Sequence, residues 1–551
     1  VDRVGQIRKE SQQRWTELQS ERSSWIGHYR ELADFLLPRG ARFYASDRNR
    51  GTRRHQQIID GVATRAVNTL AAGMQSGMTS ESQPWFEVTT ADRDMAKSHA
   101  VKLWASGVTQ LMRRIFSASN TYRALHSGYR QNGVFGTSAK VMVPDFKTVI
   151  HMHPLAAGGY AVATNWRGEV DTIYREFDKT VGQLVREFGR EAVSDTVRGM
   201  FDRGQLDAWV TVIHAIEPRA DRDLRRRDAQ HMAWRSVYFE AGGDNGKLLR
   251  ESGFNHFPGL VSRWEVDAED IYGSSPGMAA LGDVKQLQLQ QLRKAQGIDY
   301  MTRPPLQVSG SLKNGLVDVL PGGVTYVEGP GQASGVSALF DVRLDLSHLS
   351  ADIQDVRRSI EQAFHVDLFR MFDGLGPQGQ RTATEVLERR QEKMVLLGPV
   401  VERQHAEELG PLIENTFATM VQAGIVPPPP PEMQGQPLQV EYVSVLARAQ
   451  RAAEAGVADR FVQTLGVVAA SGKADVLDKL DSDTWADWYA DRVGLPPELL
   501  VTGDKLAFVR ESRAQQQAAL QQSAMANQAA DTAHKLGATP ADGGSLLAAM
   551  S

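Results

Sequence analysis

The feature that most constrains this chain is the stretch 347–425, where an apolar periodicity of three and four is broken once by a glycine-rich insert and then resumes. Leu349, Ile353, Val356, Ile360, Phe364 and Leu368 share one face of a single predicted amphipathic helix, with polar residues on the others. The insert, Phe372-Asp-Gly-Leu-Gly-Pro-Gln-Gly-Gln-Arg381, cannot be ordered cheaply as helix or sheet, so it predicts a mobile loop with Gly374, Gly376 and Gly379 as its hinges. Thr382-Ala-Thr-Glu385 then has the spacing of a capping box, a hydroxyl for the third amide and a carboxylate reaching back. The apolar period resumes through Val386, Met394, Leu397, Val401, Leu409, Ile413, Phe417 and Met420. It spans about forty residues, or about 60 Å of helix. Pro399 and Pro411 fall inside it; each lacks an amide and crowds the preceding turn, so kinks are expected there rather than ends.

A helix of that length needs a body to brace, and the rest of the chain supplies one. Trp15, Leu18, Trp25, Tyr29, Leu32 and Leu36 predict an N-terminal helix that Pro38-Arg-Gly40 stops. A small-residue helix follows over 58–78, then a turn into a strand at Pro84-Trp85-Phe86, a helix over 95–116 and another from Tyr122. Between 138 and 174 the pattern changes to short β-prone runs, read as one small antiparallel sheet. Further strands are expected over 208–216 and 233–240, with a short helix over 180–188. Ser275 and Pro276 suit the cap and first position of a long helix running to Tyr300. A glycine-rich β region, 306–342, separates that helix from the one at 347. Past the stiff Pro427–Pro431 spacer, 438–489 reads as short helices broken at Gly456, Gly466 and Gly472. The Gln- and Ala-rich end is compatible with a polar helix or a disordered tail. The fold class is therefore α+β, mainly helical.

Charge and composition narrow the function. At 551 residues the chain has room for about three or four domains. A formal net charge of -4 gives no bulk electrostatic footprint for nucleic acid, so any DNA contact must be local. Without cysteine there are no disulfides, thiolate zinc sites or cysteine nucleophiles. No apolar run reaches the length of a membrane span, and no signal-peptide core opens the chain; a soluble protein is expected.

Motifs for catalysis are weak. Gly273-Ser-Ser-Pro-Gly277 matches a nucleophile-elbow pattern, yet Pro276 is accounted for by a helix start and no glycine-rich oxyanion motif precedes it. A cap at Ser275 is the better reading, with a serine hydrolase as the remote alternative. His151 and His153 share a strand face, but a metal site wants further ligands at readable spacing. Neither Gly242–Lys247 nor Gly472-Lys473 has phosphate-loop spacing. No enzyme, cofactor or metal is expected.

The order of elements describes a scaffold, and at this point the wording of several stretches becomes specific. Asp60 to Ser80 followed by Pro84-Trp85-Phe86, Tyr174-Arg-Glu-Phe177 with Thr180 and Phe188-Gly189, Tyr272-Gly-Ser-Ser-Pro-Gly277, and Arg381-Thr-Ala-Thr-Glu-Val386 together resemble the portal proteins of short-tailed bacteriophages, the head-to-tail connectors. The resemblance covers roughly residues 10–500 and rests on the order of these motifs rather than on any one.

That resemblance implies a closed ring, typically of about twelve subunits, at one capsid vertex around a channel for double-stranded DNA. It implies a portal-type fold: a wing (1–275), a first stem helix (276–303), a β-containing clip (304–346), a second stem helix (347–371) and a channel loop (372–381). A kinked spine helix of the wing (382–426), a linker and helical crown (427–500) and a C-terminal helix or flexible tail (501–551) complete it. The implied partners are other copies of the chain, the DNA, the major capsid protein and scaffold, the terminase large subunit and later the tail adaptor, with no membrane. The implied location is the virion portal vertex, after assembly in the bacterial host cytoplasm. A pore that gripped phosphates with many cations would stall translocation, so the candidates for DNA contact are isolated cations on the stem, Lys285, Arg293, Lys294, Arg357 and Arg358, together with Gln378, Gln380 and Arg381 of the loop, whose glycines let it move. The competing readings are another virion scaffold or an internal ejection protein, which would form no ring with an axial hole.

Overall fold

The computed structural model describes residues 3–43, 56–92, 95–226, 228–243, 246–303, 305–308, 336–338, 346–373, 397–433, 435, 438–443, 445–470, 478, 480–493, 495, 499–501 and 504–537. The chain divides into two compact units. The first is Val1–Phe86, Thr109–Pro427 and Tyr442–Leu446; the second is Glu87–Val108, Pro428–Glu441 and Ala447–Ser551.

In the first unit, helix α1 (Arg3–Phe35) lies on a five-stranded antiparallel sheet. Its strands are β4 (Tyr160–Thr164), β5 (Val170–Thr180), β6 (Trp209–Pro218), β7 (Trp234–Glu240) and β8 (Arg250–Phe254), paired in that order. Alternation along the strands sorts the core into two faces. Ala161, Ala163, Tyr174, Ile213, Ala215, Val237 and Phe239 point at Ile7, Trp15 and Leu18 of α1. The other face is covered at one end by α5 (Val181–Phe188) and α6 (Asp195–Asp202), through Val181, Leu184 and Val197. At the other end Tyr160, Val162, Ile173 and Ile216 meet Ala139, Val141 and Val261 of a second sheet. That second sheet has β2 (Thr137–Asp145) between β3 (Val149–Pro154) and β9 (Gly259–Arg263). The β-prone runs of 138–174 thus divide between two sheets instead of forming one, because β2 pairs from Thr137↔Arg263 to Val141↔Gly259 with a strand that arrives far later in the chain.

Helices α2 (Val62–Met78) and α4 (Thr121–Phe135) pack together beside these sheets. Gly136, at φ +71, ends α4 in the left-handed conformation and lies against Gly273, where any side chain would collide with backbone. Helices α7 (Pro276–Thr302) and α8 (Leu346–Ala363) form an antiparallel pair: Gln290 meets Asp352 at 2.5 Å and Asp283 meets Ser359 at 2.6 Å. Strands β10 (Leu306–Val308) and β11 (Val336–Ala338) pair between them in sequence. The helix expected to run unbroken from 347 stops at Ala363. His365 takes φ +52, a conformation most L residues avoid, and α9 (Val366–Asp373) starts afresh. Phe364 and Leu368 stay buried on either side of the break, so the apolar period survives while the helix does not.

The second unit contains β12 (Leu438–Tyr442) paired with β1 (Phe86–Thr90), and α12 (Val445–Ala470), α13 (Ser482–Val493) and α14 (Asp504–Gly537). Helix α3 (His99–Ala118) begins in it. Two expectations are corrected here. Residues 438–442 are strand, and α12 passes through Gly456 and Gly466, each of which costs a helix only about 1 kcal/mol. The Gln-rich end is helical as far as Gly537, with Phe508, Leu520 and Met525 exposed along it. Among the described residues, no helix is long and apolar enough to cross a membrane.

Candidate functional site

The α7–α8 pair is held to the body by one carboxylate. Asp60, 7% exposed, precedes α2 and caps it through Val62 N at 3.0 Å. Its Oδ2 accepts two bonds from Arg357 of α8, at 3.0 and 2.7 Å, and one from Gln291 of α7 at 2.9 Å. Gln288 of α7 closes the knot, its carbonyl accepting from the Ile59 and Asp60 amides and its amide donating to the Asp60 carbonyl. Burial alone would raise this carboxyl, but Arg357, the Val62 amide and Gln291 outweigh it and hold it below its ordinary 3.8. One aspartate therefore fixes the position of both helices at once.

The sequence-predicted cations fall into two groups. Lys285 pairs with Glu31 of α1 at 3.0 Å, Arg357 with Asp60, and Arg358 with Asp355 one turn away at 2.9 Å. The Arg358 pair is exposed on both sides, where such contacts stabilise little. Arg293 is exposed and Lys294 half-buried, and neither has a carboxylate partner among the described residues. Arg293 lies on the outward stripe of α7 with Leu289 and Tyr300, both of them exposed large apolar residues. Gly374, Gly376, Gln378, Gly379, Gln380 and Arg381 lie outside the described residues, as do most of 304–346 and the capping box at Thr382.

The spine is described from Leu397 onward. Pro399 stands in the first turn of α10 (Gly398–Gln404), which passes into a π turn (His405–Leu409) and then α11 (Gly410–Gln422), with Pro411 in the first turn of α11. Pro411 has no amide to give the Glu407 carbonyl and its ring crowds that oxygen. The Gly410 amide bonds back to the His405 carbonyl, one residue further than in an α-helix. The widened turn directs two adjacent carboxylates at the β2–β9 sheet. Glu407 receives a fork of bonds from Arg263, between 2.6 and 3.3 Å, and a further one from the Arg263 amide. Glu408, fully buried, forms an ion pair with Lys140 of β2 and accepts from Ser262 Oγ at 2.5 Å. The Lys140 amine also donates to Ser138 Oγ at 3.0 Å. Gln404 and Asn132 extend the network to the Arg263 carbonyl and Ser262. Gly128 of α4 leaves the room this amine occupies, since a Cβ there would overlap it. On the far side of the turn, Tyr442 stacks on His405, centroids 3.9 Å apart.

No local sequence pattern announces this network. The available signals were a lysine in the otherwise uncharged Thr-Ser-Ala-Lys-Val-Met-Val run and the acidic doublet two residues before Gly410-Pro411. Two other sequence candidates have ordinary structural roles. Ser275 caps α7, its Oγ accepting from the Met278 amide at 3.0 Å and donating to the Val134 carbonyl at 2.8 Å. His151 and His153 do come together, with centroids 4.9 Å apart, and burial pushes His153 down to about 4. Among the described residues, no group of three potential metal ligands forms around them or anywhere else.

Comparison with known proteins places this arrangement. The profile of the "Bacteriophage head to tail connecting protein" family matches residues 8–500. The "Probable portal protein" of Bordetella phage BPP-1 is 55% identical over 524 residues, covering 95% of this chain and 94% of that one. The "Portal protein" of Salmonella phage epsilon15 is 42% identical over 535 residues, covering 97% and 96%. Among solved structures, the neck of a native gene transfer agent particle computed with C12 symmetry is similar at 13% identity and a TM-score of 0.33, over 79% of this chain and 90% of that one. Matched along nearly its whole length by two phage portal proteins, the chain belongs to the bacteriophage head to tail connecting protein family and is a structural portal protein.

Proposed function

We propose that copies of this chain close into a ring of about twelve at one capsid vertex, with α7 and α8 as stem helices beside the DNA path, 304–346 as the clip and 372–381 as the channel loop. The wing spans 1–275, the spine 382–426 and the crown 427–500, with α14 beyond it. In this reading double-stranded DNA passes without sequence recognition. The clip docks the terminase large subunit during packaging and the tail adaptor afterwards, the wing meets the major capsid protein and scaffold, and assembly takes place in the host cytoplasm before the ring enters the virion. Membership of the connector family across 8–500 carries the reading. The exposed apolar residues Leu289, Leu292 and Tyr300 on α7 support it, because a second copy can cover them. Arg293 and Lys294, neither with a carboxylate partner among the described residues, are then the stem cations available to phosphate, whereas Lys285 and Arg357 are committed to Glu31 and Asp60. Gln378, Gln380 and Arg381 are the loop's contacts.

Deleting 374–380 tests this. Packaging, or retention of packaged DNA, is expected to fall while ring assembly persists. Unchanged packaging and unchanged retention would remove the loop's role, and negative-stain images of the purified protein without a ring and axial hole would remove the portal ring itself.

A further inference from the structure

Helix α4 carries two arginines on one stripe, with no counter-charge paired to them among the described residues. Arg123, His126, Ser127 and Arg130 fall at steps of three and four and share the least buried face of α4, Arg123 exposed and the other three half-buried. Among the described residues neither arginine forms an ion pair, and the buried Arg130 Nε and His126 Nδ1 have no hydrogen-bond partner. His126 is held below its usual range by burial and by Arg130, so at neutral pH it offers a donor, and the two arginines the charge.

The converse surface is the turn between β9 and α7. Glu265, Asp267, Glu269 and Asp270 are all exposed there, and none is ion-paired among the described residues. The turn is a built one: the Asp270 amide bonds to the Asp267 carbonyl at 3.0 Å, the Ser274 amide bonds to the Glu265 carbonyl at 2.7 Å, and Ala268 sits at φ +48. Within one chain no ion pair joins the two surfaces among the described residues. The turn is anchored at the C-terminal end of α4, where the Trp264 amide bonds to the Gly136 carbonyl at 2.8 Å. Arg130 and Arg123 lie about 9 and about 20 Å further up that axis, at 1.5 Å per residue.

We infer that the α4 stripe of one copy docks on the Glu265–Asp270 turn of the next copy, a head-to-tail contact repeated around a closed ring. The inference rests on the ring proposed above. Each surface is self-repelling alone, and each supplies what the other lacks.

Two charge-reversed proteins test it: one carrying Arg123→Glu and Arg130→Glu, the other Asp267→Lys and Glu269→Lys, the second altering only exposed side chains. At about 0.15 M salt, with thermal melting to show that both are folded, each alone is expected to lose the ring species in mass photometry. Mixed, they are expected to regain it, because an alternating ring pairs every acidic surface with a basic one. If both variants form rings alone as wild type does, or if the folded pair forms none when mixed, the contact is wrong while the ring stands. If the α4 variant forms rings and loses only DNA binding, the stripe belongs to nucleic acid and the contact is again wrong. Wild-type protein that never forms a ring would overturn the ring and this contact with it.

Discussion

Lys140→Met isolates the cost of the buried pair that pins the spine to the β2–β9 sheet. Lys140 and Glu408 are 1% and 0% exposed, so removing the ammonium strands a carboxylate whose remaining donor among the described residues is the Ser262 hydroxyl. Breaking one side of such a pair costs about 3–5 kcal/mol, most of it the penalty of an uncompensated charge. Methionine keeps the length of the side chain in the slot beside Gly128, so packing changes little. Adding Glu408→Gln removes the stranded charge and keeps a partner for Ser262; the double variant is expected to cost only about 1–2 kcal/mol. The coupling between the sites is then several kcal/mol in favour of the double variant. Native-state hydrogen exchange of peptides from β2 and β9 reads this locally, without requiring a long chain to unfold in two states. A single variant that lowers the opening free energy by less than about 1 kcal/mol, or a double variant no better than the worse single one, would refute the argument.

Two further outcomes follow from the same kind of accounting. Asp60→Asn keeps the Val62 cap but loses the charge that binds Arg357, itself partly exposed; a loss of about 1–2 kcal/mol is expected, read as a lower melting temperature. Because the native carboxyl is held below 3.8, its contribution is present above that pH and lost as pH falls through the lower folded value, so the wild-type advantage should vanish in acid. An equal melting temperature at neutral pH would show the knot to be without effect. His214, fully buried between Arg175 and Ser236 Oγ, is held well below its usual range by burial and then by Arg175. The unfolded chain binds that proton below about 6.5 and the native one does not. Stability should therefore fall as pH drops below that value, by at most about 1.4 kcal/mol per pH unit for each such histidine. His214→Phe should flatten the slope, and a slope unchanged by that substitution would place the acid sensitivity elsewhere.

Helices were the legible part of this fold, because their periods and caps are written locally: α1, α4, α7 and α11 lie where Trp15, Tyr122, Pro276 and Ile413 place them. Ser275 was legible as a cap for the same reason. Strand partnership was not, since a period of two shows which residues face inward but not which strand lies alongside, and β2 borrows β9 from more than a hundred residues away. The break at His365 had no glycine or proline to announce it. At the candidate site, sequence singled out the stem cations but not their commitments. Glu31 lies 254 positions from Lys285 and Asp60 lies 297 from Arg357, distances over which no local pattern carries information.

The pairing of Lys140 with Glu408 also sets a clock on synthesis. The two residues are 268 positions apart, and ribosomes add about 5–20 residues per second, so strand β2 exists for about 15–50 seconds before its counter-ion is made. During that interval a lysine built for a dry slot can be hydrated only if the slot stays open. Until the spine arrives, the Lys140 amine has Ser138 Oγ as its described partner, and the slot is completed only by Glu408. A chain truncated before residue 408 should therefore expose β2 to proteases that the finished protein excludes, because a segment made late in the unit locks one made much earlier.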